Sequence, residues 1–584
     1  MLNLTVTMSP SHENSRERLQ QAIDAEIKSL QESIRACKSR RNALSPISSL
    51  PPEVFAAIFS FVCSPLGFPN PPELGNQIRV SHVCRQWREV ALGQPLLWRN
   101  VDLTALSVAG ATEALSRAKS VPLYLKANVS GSFWDDIRFS AFKKQLQARM
   151  PNVSHLSFKA QLDRLHETLG GLVSPAPTLE YLSLCSRERS LNTEKGGFVP
   201  YTLFNGSIPR LSYLRLFECK ISWKSPLLKG LRHLEIRSPI ARPKLETWLD
   251  ALDAMTQLNT LVLRSASPIA ASQGDVLVKH NVTLPSLTHL TIETTPANCA
   301  LVLAHLDLPA LTALSTTVYL RPDTNRIQPL LPHLVRHAHG PQDTLPLQSM
   351  LICNERRDAK ILAWTLPDID AKVQDPPTFL PTTTPLSARV ALYFASYDDL
   401  FDVAEVDVLD AAMAALPLSG LVTLVVRDQR DLLMPPNTRV WLDHALKWPL
   451  LRCVHLEGDV LEGFTTMLLN GNNGSPPLFP LLKEIVLVGS LKRDWASALR
   501  KRVEQGVPLE RLDLRMGYFK DDTIVPLLSK IVVDILGPQE TSEMWQRVTR
   551  RWETVVSASL SGAINLEPEF ESYTDDGEDE HHEE

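Results

Sequence analysis

The stretch LSYLRLFECKISWKSPLLKGLRHLEI, residues 211–236, contains the same six-residue pattern twice, as LSYLRL and as LRHLEI. Each copy has the form L-x-x-L-x-L, with aliphatic residues at its first, fourth and sixth positions. Side chains of a β-strand alternate between two faces, so the fourth and sixth residues point to the same side. We therefore expect each copy to form a short strand with that side buried.

The same pattern recurs through residues 151–520. Allowing other aliphatic residues, and a threonine at the end of one copy, the copies begin at residues 153, 179, 211, 231, 258, 287, 311, 421, 451, 482 and 509. Neighbouring copies are 20 to 32 residues apart, except for one gap of 110 residues after the copy at 311. A repeat of this length is the signature of a solenoid, in which each repeat buries its apolar side only against its neighbours.

Segments with apolar residues at helical spacing lie between the copies, such as LETWLDALDAM (245–255) and DWASALRKRV (494–503). Alternation of strand and helix predicts an α/β fold, a curved solenoid with a parallel sheet on its concave face and helices on its convex face. We expect irregular repeats over 319–420, because a Pro- and Thr-rich stretch, 373–386, interrupts weak copies there. The array resembles the irregular leucine-rich repeats of F-box/leucine-rich-repeat proteins.

Ahead of the repeats, residues 45–103 predict a compact helical unit. Its first helix is LPPEVFAAIFSFVC (50–63), in which a Pro-Pro pair precedes large apolar residues at helical spacing. It continues with VSHVCRQWREVA (80–91), the apolar stripe of a second helix, and ends with PLLWRNVDL (95–103). A unit of this size buries only a small core, so part of its apolar surface is expected to face a partner.

These elements in this order resemble the F-box, in its fungal F-box-like variety. The resemblance implies docking on a Skp-type adaptor, which connects to a cullin and a RING subunit. The residues that match the family's motif, and that the resemblance assigns to adaptor contacts, are Leu50, Pro51, Pro52, Val54, Ile58, Phe59, Val80, Cys84, Trp87 and Trp98. Each is alternatively an ordinary core residue, and core packing is favoured for Trp87 and Val83. A Pro- and Gly-rich stretch, 64–77, replaces the family's middle helix, so no adaptor contact is predicted there.

Residues 16–44 predict a strongly charged helix. From Ile23 to Leu44 apolar residues recur at alternating spacings of four and three, which is the seam of a coiled coil over about three heptads. Arg41 interrupts this seam. The segment is either a short coiled coil through which two copies dimerise or a single amphipathic helix.

The remaining segments complete the domain plan. Residues 1–15 and the acidic tail 561–584 are predicted to be disordered, since the tail contains too few apolar residues to offset the entropy of ordering. Residues 104–150 connect the F-box-like unit to the repeats, and residues 521–560 are expected to form a helical cap.

The composition of the 584 residues limits the function classes. The net charge is -5 and ten of the last 18 residues are acidic, so nucleic-acid binding is not indicated. Eight scattered cysteines without a C-x-x-C pair are typical of free thiols in a reducing compartment. No secretory signal and no apolar stretch of membrane-spanning length occurs in the sequence. We expect an intracellular protein of the cytoplasm, the nucleus or both.

The sequence contains none of the phosphate-loop, dinucleotide-binding or nucleophile-elbow motifs, so neither an enzyme nor a cofactor is predicted. His333, His337 and His339 are close together, but the segment between Pro332 and Gly340 is expected to be a loop. Since no third ligand is identifiable, no metal site is predicted.

The third and fifth residues of each copy, and the one after the sixth, share the face opposite the leucines. This face mixes aromatic, arginine and acidic side chains, which suits the binding of a protein. The candidates for contact with a protein substrate are Tyr181, Tyr213, Arg215, Phe217, His233, Arg237, Arg264, His289, Arg511 and Arg515. The alternative is a solvated sheet face without a ligand.

An F-box-like unit followed by repeats implies, by the resemblance, a non-catalytic substrate receptor of an SCF-type cullin–RING ubiquitin ligase. In such a protein the F-box holds the adaptor and the repeats hold a protein substrate. The alternative is an interaction scaffold whose F-box-like unit does not enter a ubiquitin ligase.

Overall fold

The structure, a computed structural model, describes residues 10–63, 75–129, 136–186, 197–239, 242–268, 281–320, 327–339, 345–354, 358–366, 388–396, 406–428, 447–458, 460–470, 477–514, 517–519, 528 and 531–536. Residues 1–9, the acidic tail 561–584 and all but a few residues of the expected cap, 521–560, lie outside these ranges.

Helices and strands alternate along most of the described chain. The helices are α1 (Pro10–Ala43), α2 (Pro52–Cys63), α3 (Gly75–Ser81), α4 (Arg85–Gly93), α5 (Val108–Arg117), α6 (Asp136–Arg149), α7 (Leu162–Gly171), α8 (Leu245–Asp253), α9 (Pro296–Ala304), α10 (Leu331–Ala338), α11 (Val406–Ala415), α12 (Val460–Asn470) and α13 (Asp494–Glu504). The strands are β1 (Asn100–Asp102), β2 (Leu123–Val129), β3 (Val153–Ala160), β4 (Tyr181–Ser186), β5 (Gly197–Phe198), β6 (Tyr213–Phe217), β7 (Cys219–Lys220), β8 (His233–Arg237), β9 (Thr260–Arg264), β10 (Val282–Thr283), β11 (His289–Thr294), β12 (Leu306–Asp307), β13 (Ala313–Leu320), β14 (Ser349–Asn354), β15 (Asp358–Trp364), β16 (Val390–Ser396), β17 (Thr423–Asp428), β18 (Cys453–Gly458), β19 (Glu484–Leu491), β20 (Arg511–Asp513), β21 (Gly517–Phe519) and β22 (Asp534–Leu536).

The chain forms two compact units, which we call unit 1 (Met1–Ala266) and unit 2 (Ser267–Glu584). In unit 1 the helical region α2–α4 is followed by a parallel sheet whose strands pair in chain order, from β1 through β2, β3, β4, β6 and β8 to β9. The α/β prediction, with an N-terminal helical unit ahead of repeated parallel strands, is confirmed.

The six-residue pattern explains why these strands stack. In the copy at 211, Leu211, Leu214 and Leu216 are at most 3% exposed, and the equivalent residues of the copy at 231 are at most 1% exposed. Stacked neighbours bury these side chains together, and each fully buried leucine contributes about 1.5–3 kcal/mol relative to an exposed one. The intervening residues of the same strands point to the opposite face.

Two strands of unit 1 precede the first predicted copy. β1 belongs to WRNVDL (98–103), in which Trp98 occupies the place of the first leucine. In β2 the register against β3 shifts by one residue after Leu123, so this strand is one residue short of the pattern. Residues 104–150, predicted to be a connector, therefore contain a repeat of their own, with α5, β2 and α6.

The sheet of unit 2 reverses its order in the middle. Its strands lie side by side in the order β11, β13, β16, β15, β14, β17, β18, β19, β20 and β22. All neighbours are parallel except β15, which runs antiparallel to both β14 and β16. The chain thus passes beyond β13, returns through β15 and places β16 in the slot next to β13.

This inverted segment lacks the six-residue pattern because it is apolar on both faces. Leu351, Leu362, Ala391 and Val425 are at most 7% exposed and form a cluster, against which further residues of the segment pack. Strands that are covered on both sides appear in sequence as unbroken apolar runs rather than as alternating patterns. Burial of both faces is thus the physical reason why the pattern is irregular over 319–420.

Two local expectations differ from the structure. Helix α1 begins at Pro10 rather than at Arg16, so residues 10–15, expected to be disordered, are helical. The histidine segment expected to be a loop forms helix α10. Pro332 lies in its first turn, where the missing N–H has no partner to lose. Among the described helices, none is both long enough and apolar enough to cross a bilayer.

Candidate functional site

The core of the F-box-like region is a cluster of aromatic rings. Phe55, Phe59 and Cys63 lie four residues apart on α2 and are at most 4% exposed. We call them the inner stripe. The ring of Trp87 on α4 lies 5.7 Å from the ring of Phe55 and 5.0 Å from that of Phe59, measured between centroids. These contacts fix α4 against one face of α2.

The neighbouring face of α2 is apolar and open. Val54, Ile58, Phe61 and Val62 are exposed by 40%, 38%, 75% and 46%. We call these four residues the outer stripe. Other large apolar side chains of the same region are also exposed, namely Ile47, Ile78, Val83, Leu92 and Leu96. A group of exposed apolar residues in so small a unit marks a protein-interaction surface.

Two prolines set the start of α2. The carbonyl oxygen of Pro51 accepts hydrogen bonds from the backbone N–H groups of Val54 and Phe55, at 3.0 and 3.2 Å. Pro52 is the first helical residue, a position that needs no N–H donor. The exposed Pro51 and Pro52 thus orient the outer stripe, while Leu50 just before them is half-buried.

The expected second helix is two helices. The predicted stripe from Val80 to Val90 breaks between α3 and α4, because Cys84 is extended and acts as the N-cap of α4. The Sγ atom of Cys84 accepts a hydrogen bond from the backbone N–H of Trp87 at 3.5 Å. The break leaves Val83, for which core packing was expected, 58% exposed.

Burial corrects three of the predicted adaptor contacts. Phe59, Val80 and Trp98 are at most 8% exposed, so their side chains belong to the core. The indole N–H of Trp98 donates to the carbonyl oxygen of Ala91 at 2.9 Å, and the guanidinium of Arg117 lies 4.5 Å from the ring centroid. Trp98 therefore joins the helical region to the first strand of the sheet.

The remaining predicted adaptor residues are at or near the surface. Pro51, Pro52, Val54 and Ile58 are exposed, whereas Leu50, Cys84 and Trp87 are half-buried. Sequence reasoning missed Phe61, the most exposed member of the outer stripe. Its position seven residues after Val54 places it on the same helix face, which is the signal that could have found it.

A second candidate surface lies on the sheet of unit 1, on the face opposite the buried leucines. On five neighbouring strands of this face, aromatic residues lie side by side in the strand register, in the order Tyr124, His155, Tyr181, Tyr213 and His233. The last four are the third residues of their copies, and Tyr124 takes the equivalent place on β2. Their neighbouring ring centroids are 3.9, 5.7, 4.5 and 3.8 Å apart. We call this row the ring ladder.

Burial within the ring ladder keeps the side chains of His155 and Tyr213 uncharged at pH 7. Burial, together with the nearby Arg99, lowers the pKa of His155 to about 4, so this ring is neutral at pH 7. The guanidinium of Arg99 lies 4.6 Å from the ring centroid of Tyr124. Burial and the carboxylate of Glu235 raise the pKa of Tyr213, which keeps its hydroxyl protonated.

An arginine cluster adjoins the ring ladder. Glu235 is 7% exposed, and its two oxygen atoms pair with the Nε atoms of Arg237 at 2.6 Å and Arg215 at 3.2 Å. Arg264 follows Arg237 in the strand register. Burial, with the charge of Arg264, lowers the pKa of Arg237. One buried carboxylate is thus shared among arginines, and the site retains an excess of positive charge.

The face as a whole is basic. Its outward positions on β1, β2, β3, β4, β6, β8 and β9 carry the acidic residues Asp102 and Glu235 and the basic residues Lys126, Lys159, Arg215, Arg237 and Arg264. Aromatic rings beside arginines are the combination enriched at energetically important positions of protein interfaces. The arrangement is suited to a protein surface that presents carboxylates.

The structure brings together seven of the ten predicted substrate residues. Those on the unit 1 sheet are Tyr181, Tyr213, Arg215, Phe217, His233, Arg237 and Arg264. Tyr181 is only 5% exposed, so it contributes support rather than contact area. His289 and Arg511 belong to unit 2, where Arg511 pairs with Asp534 at 3.2 Å. Arg515 lies outside the described residues.

Sequence reasoning missed Tyr124 and His155. His155 is the third residue of a recognised copy, and its place beside Tyr181 follows from aligning the copies. Tyr124 could not be placed, because its strand is one residue short of the pattern.

A metal site is not found in the part of the chain that the structure describes, where no three His, Cys, Asp or Glu side chains are grouped as ligands. His337 is 5% exposed and its Nε2 lies 3.4 Å from the carbonyl oxygen of Leu303. The histidine segment thus includes a packing residue of α10.

A comparison with known protein families finds a match in the helical region. Residues 47–104 match the sequence profile of the F-box-like family. No curated protein is similar enough to this chain to count as a relative. The N-terminal part is therefore an F-box-like domain, a protein-interaction module, and the match covers this domain alone.

Two solved structures align with a larger part of the chain. The structure of a TLR13–ssRNA13 complex is 16% identical, with a TM-score of 0.28 over 73% of this chain and 50% of the other. A protein from Bacteroides fragilis is 11% identical, with a TM-score of 0.18 over 70% of this chain and 74% of the other. The chain spans about half the length of the TLR13 chain. Neither score reaches the range in which two chains share an overall fold.

Proposed function

We propose that this protein is a non-catalytic substrate receptor of an SCF-type cullin–RING ubiquitin ligase. In this proposal the F-box-like domain binds a Skp-type adaptor, and the adaptor connects the chain to the cullin and RING subunits. The observation that supports it is the outer stripe, an apolar face on the first helix of an F-box-like domain. An apolar helix face of this kind binds by inserting its side chains into a groove of the partner.

The repeats are proposed to hold the protein that is modified. We assign this contact to the ring ladder and the arginine cluster, and we infer that the bound protein presents acidic side chains. A receptor of this kind needs no catalytic groups of its own. Its contribution is to hold an acceptor lysine near ubiquitin that other subunits carry, which raises the effective concentration of the reacting groups.

Adaptor binding by the purified full-length chain tests the first half of this function. Ile58→Asp and Val54→Asp place a charge on the outer stripe and are expected to abolish binding of a Skp-type adaptor. Val173→Asp is the matched control, because Val173 is an exposed valine outside the F-box-like domain and should leave binding unchanged. Circular dichroism of each variant checks that the fold is kept.

Reconstitution with a cullin separates this function from its alternative. Binding of the adaptor together with recovery of the cullin supports the receptor. Binding of the adaptor without the cullin indicates an interaction scaffold that does not enter a ubiquitin ligase. If the wild-type chain does not bind the adaptor, or if Ile58→Asp binds as well as wild type, the proposal is wrong.

A further inference from the structure

Helix α1 has an apolar stripe that no described element covers. Every residue from Glu17 to Arg41 is exposed, and Ile27, Leu30 and Ile34 are exposed by 46%, 57% and 54%. In heptad terms the d positions are Ile23, Leu30, Cys37 and Leu44, and the a positions are Gln20, Ile27, Ile34 and Arg41. A second helix that covers this seam removes its apolar side chains from water and so stabilises both helices.

The charges of α1 indicate what covers the seam. Residues 17–32 contain four acidic and two basic side chains, whereas residues 33–43 contain four basic and no acidic ones. A second copy of the helix that lies antiparallel places each acidic half against a basic half. A parallel copy would place like halves together.

We propose that this protein forms a dimer in which two copies of α1 pair as an antiparallel coiled coil. The pairing that centres on residue 32 is two-fold symmetric and buries the seam of both copies. In this pairing Leu30 packs against Ile34 of the second copy, and Ile27 packs against Cys37. Arg41 lies opposite Ile23, which spares the two arginines from facing each other.

The flanking positions carry opposite charges in this register. Antiparallel coiled coils place e positions beside e positions and g positions beside g positions. Glu26 then faces Arg40 of the second copy, and Asp24 faces Lys38. The two-fold axis doubles these to four attractive pairs. In a parallel coil the same positions give no oppositely charged pair, since Glu26 faces Gln31, and the two Arg41 side chains meet in the seam.

The molar mass of the purified full-length protein is the first test. Light scattering at tens of micromolar protein is expected to give twice the chain mass of 65.2 kDa. A mass of one chain overturns the proposal. This test is independent of adaptor and substrate, so it can fail while the proposed function holds, and the reverse.

Cysteine cross-linking tests the orientation. Of the eight cysteines, all within the described residues, Cys37 is the exposed one, and the others are buried or half-buried. An antiparallel dimer keeps the two Cys37 thiols apart, so oxidation of wild type should give no dimer linked through Cys37. Ile27→Cys should give a covalent dimer through Cys37, and the further change Cys37→Ser should abolish it. A dimer of wild type linked through Cys37, or of Ile27→Cys with Cys37→Ser, shows a parallel coil and overturns the proposal.

Charge reversal tests the register. Lys38→Glu with Arg40→Glu turns four attractive pairs into repulsive ones and should raise the dissociation constant of the dimer by roughly ten-fold or more. Adding Asp24→Lys and Glu26→Lys should restore it. Lys28→Glu with Arg35→Glu is the matched control, because it changes the charge equally at b positions on the outer side. Equal weakening by the control pair, or no restoration, contradicts the proposed register.

Discussion

On the outward face of the unit 1 sheet, the carboxylate of Glu235 holds the arginine cluster together. It is the fifth residue of its copy, a position that an alternating strand turns away from the leucine core, yet it is 7% exposed. Its carboxylate is paired with Arg215 on the neighbouring strand and with Arg237 on its own strand, which compensates its burial. Without the carboxylate, the positive charges of the two arginines would face each other with no anion between them.

Glu235→Gln is expected to lower the free energy of unfolding of unit 1 by about 2–3 kcal/mol. The change keeps the size of the side chain but leaves two neighbouring, half-buried arginines without their shared anion. Urea unfolding followed by circular dichroism measures the effect. The control is Glu113→Gln, which removes the exposed ion pair with Arg117 and should cost no more than about 0.5 kcal/mol. Equal effects of the two changes would show that the cluster is not a structural ion network.

His155 should make the stability of unit 1 depend on pH. Its folded pKa of about 4 is below the usual 6.5, so the unfolded chain takes up a proton at a higher pH than the folded chain. No stability is lost above pH 6.5, and stability falls as the pH decreases from 6.5 towards 4. Since the ring is partly solvated, we expect a loss of about 1–2 kcal/mol rather than the full amount.

His155→Phe tests this assignment, because phenylalanine keeps a ring in the ladder but cannot be protonated. The pH dependence of the urea midpoint should be flatter in His155→Phe than in wild type between pH 6.5 and 4. At pH 7.5 the two proteins should differ little. An unchanged slope in the variant would assign the acid sensitivity to other groups.

At the scale of elements, two buried arginines hold the connections of unit 2. Arg389, 5% exposed, donates hydrogen bonds from its guanidinium to the carbonyl oxygens of Leu311 and His337. Arg502 donates in the same way to the carbonyl oxygens of Leu478 and Phe479, at 2.7 and 3.0 Å. Each guanidinium thus satisfies backbone groups that strands and helices leave unpaired.

Arg389→Met should destabilise unit 2 by about 2–4 kcal/mol, because two backbone carbonyl groups lose their buried donor while the side-chain stem keeps its volume. The midpoint of urea or thermal unfolding measures it. Arg452→Met is the control, since Arg452 is exposed and is expected to change stability by less than about 0.5 kcal/mol. A neutral Arg389→Met would mean that water replaces the guanidinium.

Elements that follow the six-residue pattern could be predicted from the sequence, and those that depart from it could not. The strand at 211 needs only Leu211, Leu214 and Leu216. β2 was missed because one residue is absent after Leu123. β14 showed only a weak copy of the pattern, and β15 and β16 were missed, because both faces of these strands are apolar. The role of Arg389 depends on backbone groups of distant segments, which no local pattern reports. Cys84 caps α4 where the chain leaves α3, a break that the helical spacing of the apolar residues does not show.

At the scale of the whole molecule, the order of a helical F-box-like domain and repeated parallel strands was readable from spacing and motif. The candidate sites were readable in part. Alternation of side chains placed Tyr213, Arg215 and Arg237 on one face, but it could not show that Glu235 is buried between the two arginines. Helical spacing showed that α2 has more large apolar residues than a small core can bury. Only the contacts of Trp87 show which face of the helix is buried and which is the outer stripe.

A substitution on one of the two candidate surfaces should abolish binding at that surface and leave binding at the other unchanged. Ile58→Asp is expected to lose the adaptor and keep the proteins that bind the repeats, whereas Arg215→Gln should do the reverse. Adaptor pull-down and proximity labelling with proteasome inhibition, applied to both variants and to Val173→Asp, measure the two activities side by side. Loss of adaptor binding by a folded Arg215→Gln would show that the two surfaces are not separate.

The inverted strand order of unit 2 has a consequence for how the chain is made. A ribosome releases β14 and β15 before β16, yet β16 occupies the slot between β13 and β15. Until residues 390–396 emerge, the backbone edge of β13 on that side has no strand to pair with, and an open strand edge invites pairing with other chains. Unit 2 therefore cannot fold one repeat at a time as it is synthesised. Nascent chains that end before residue 388 should depend on chaperones, whereas chains that extend past residue 428 should not.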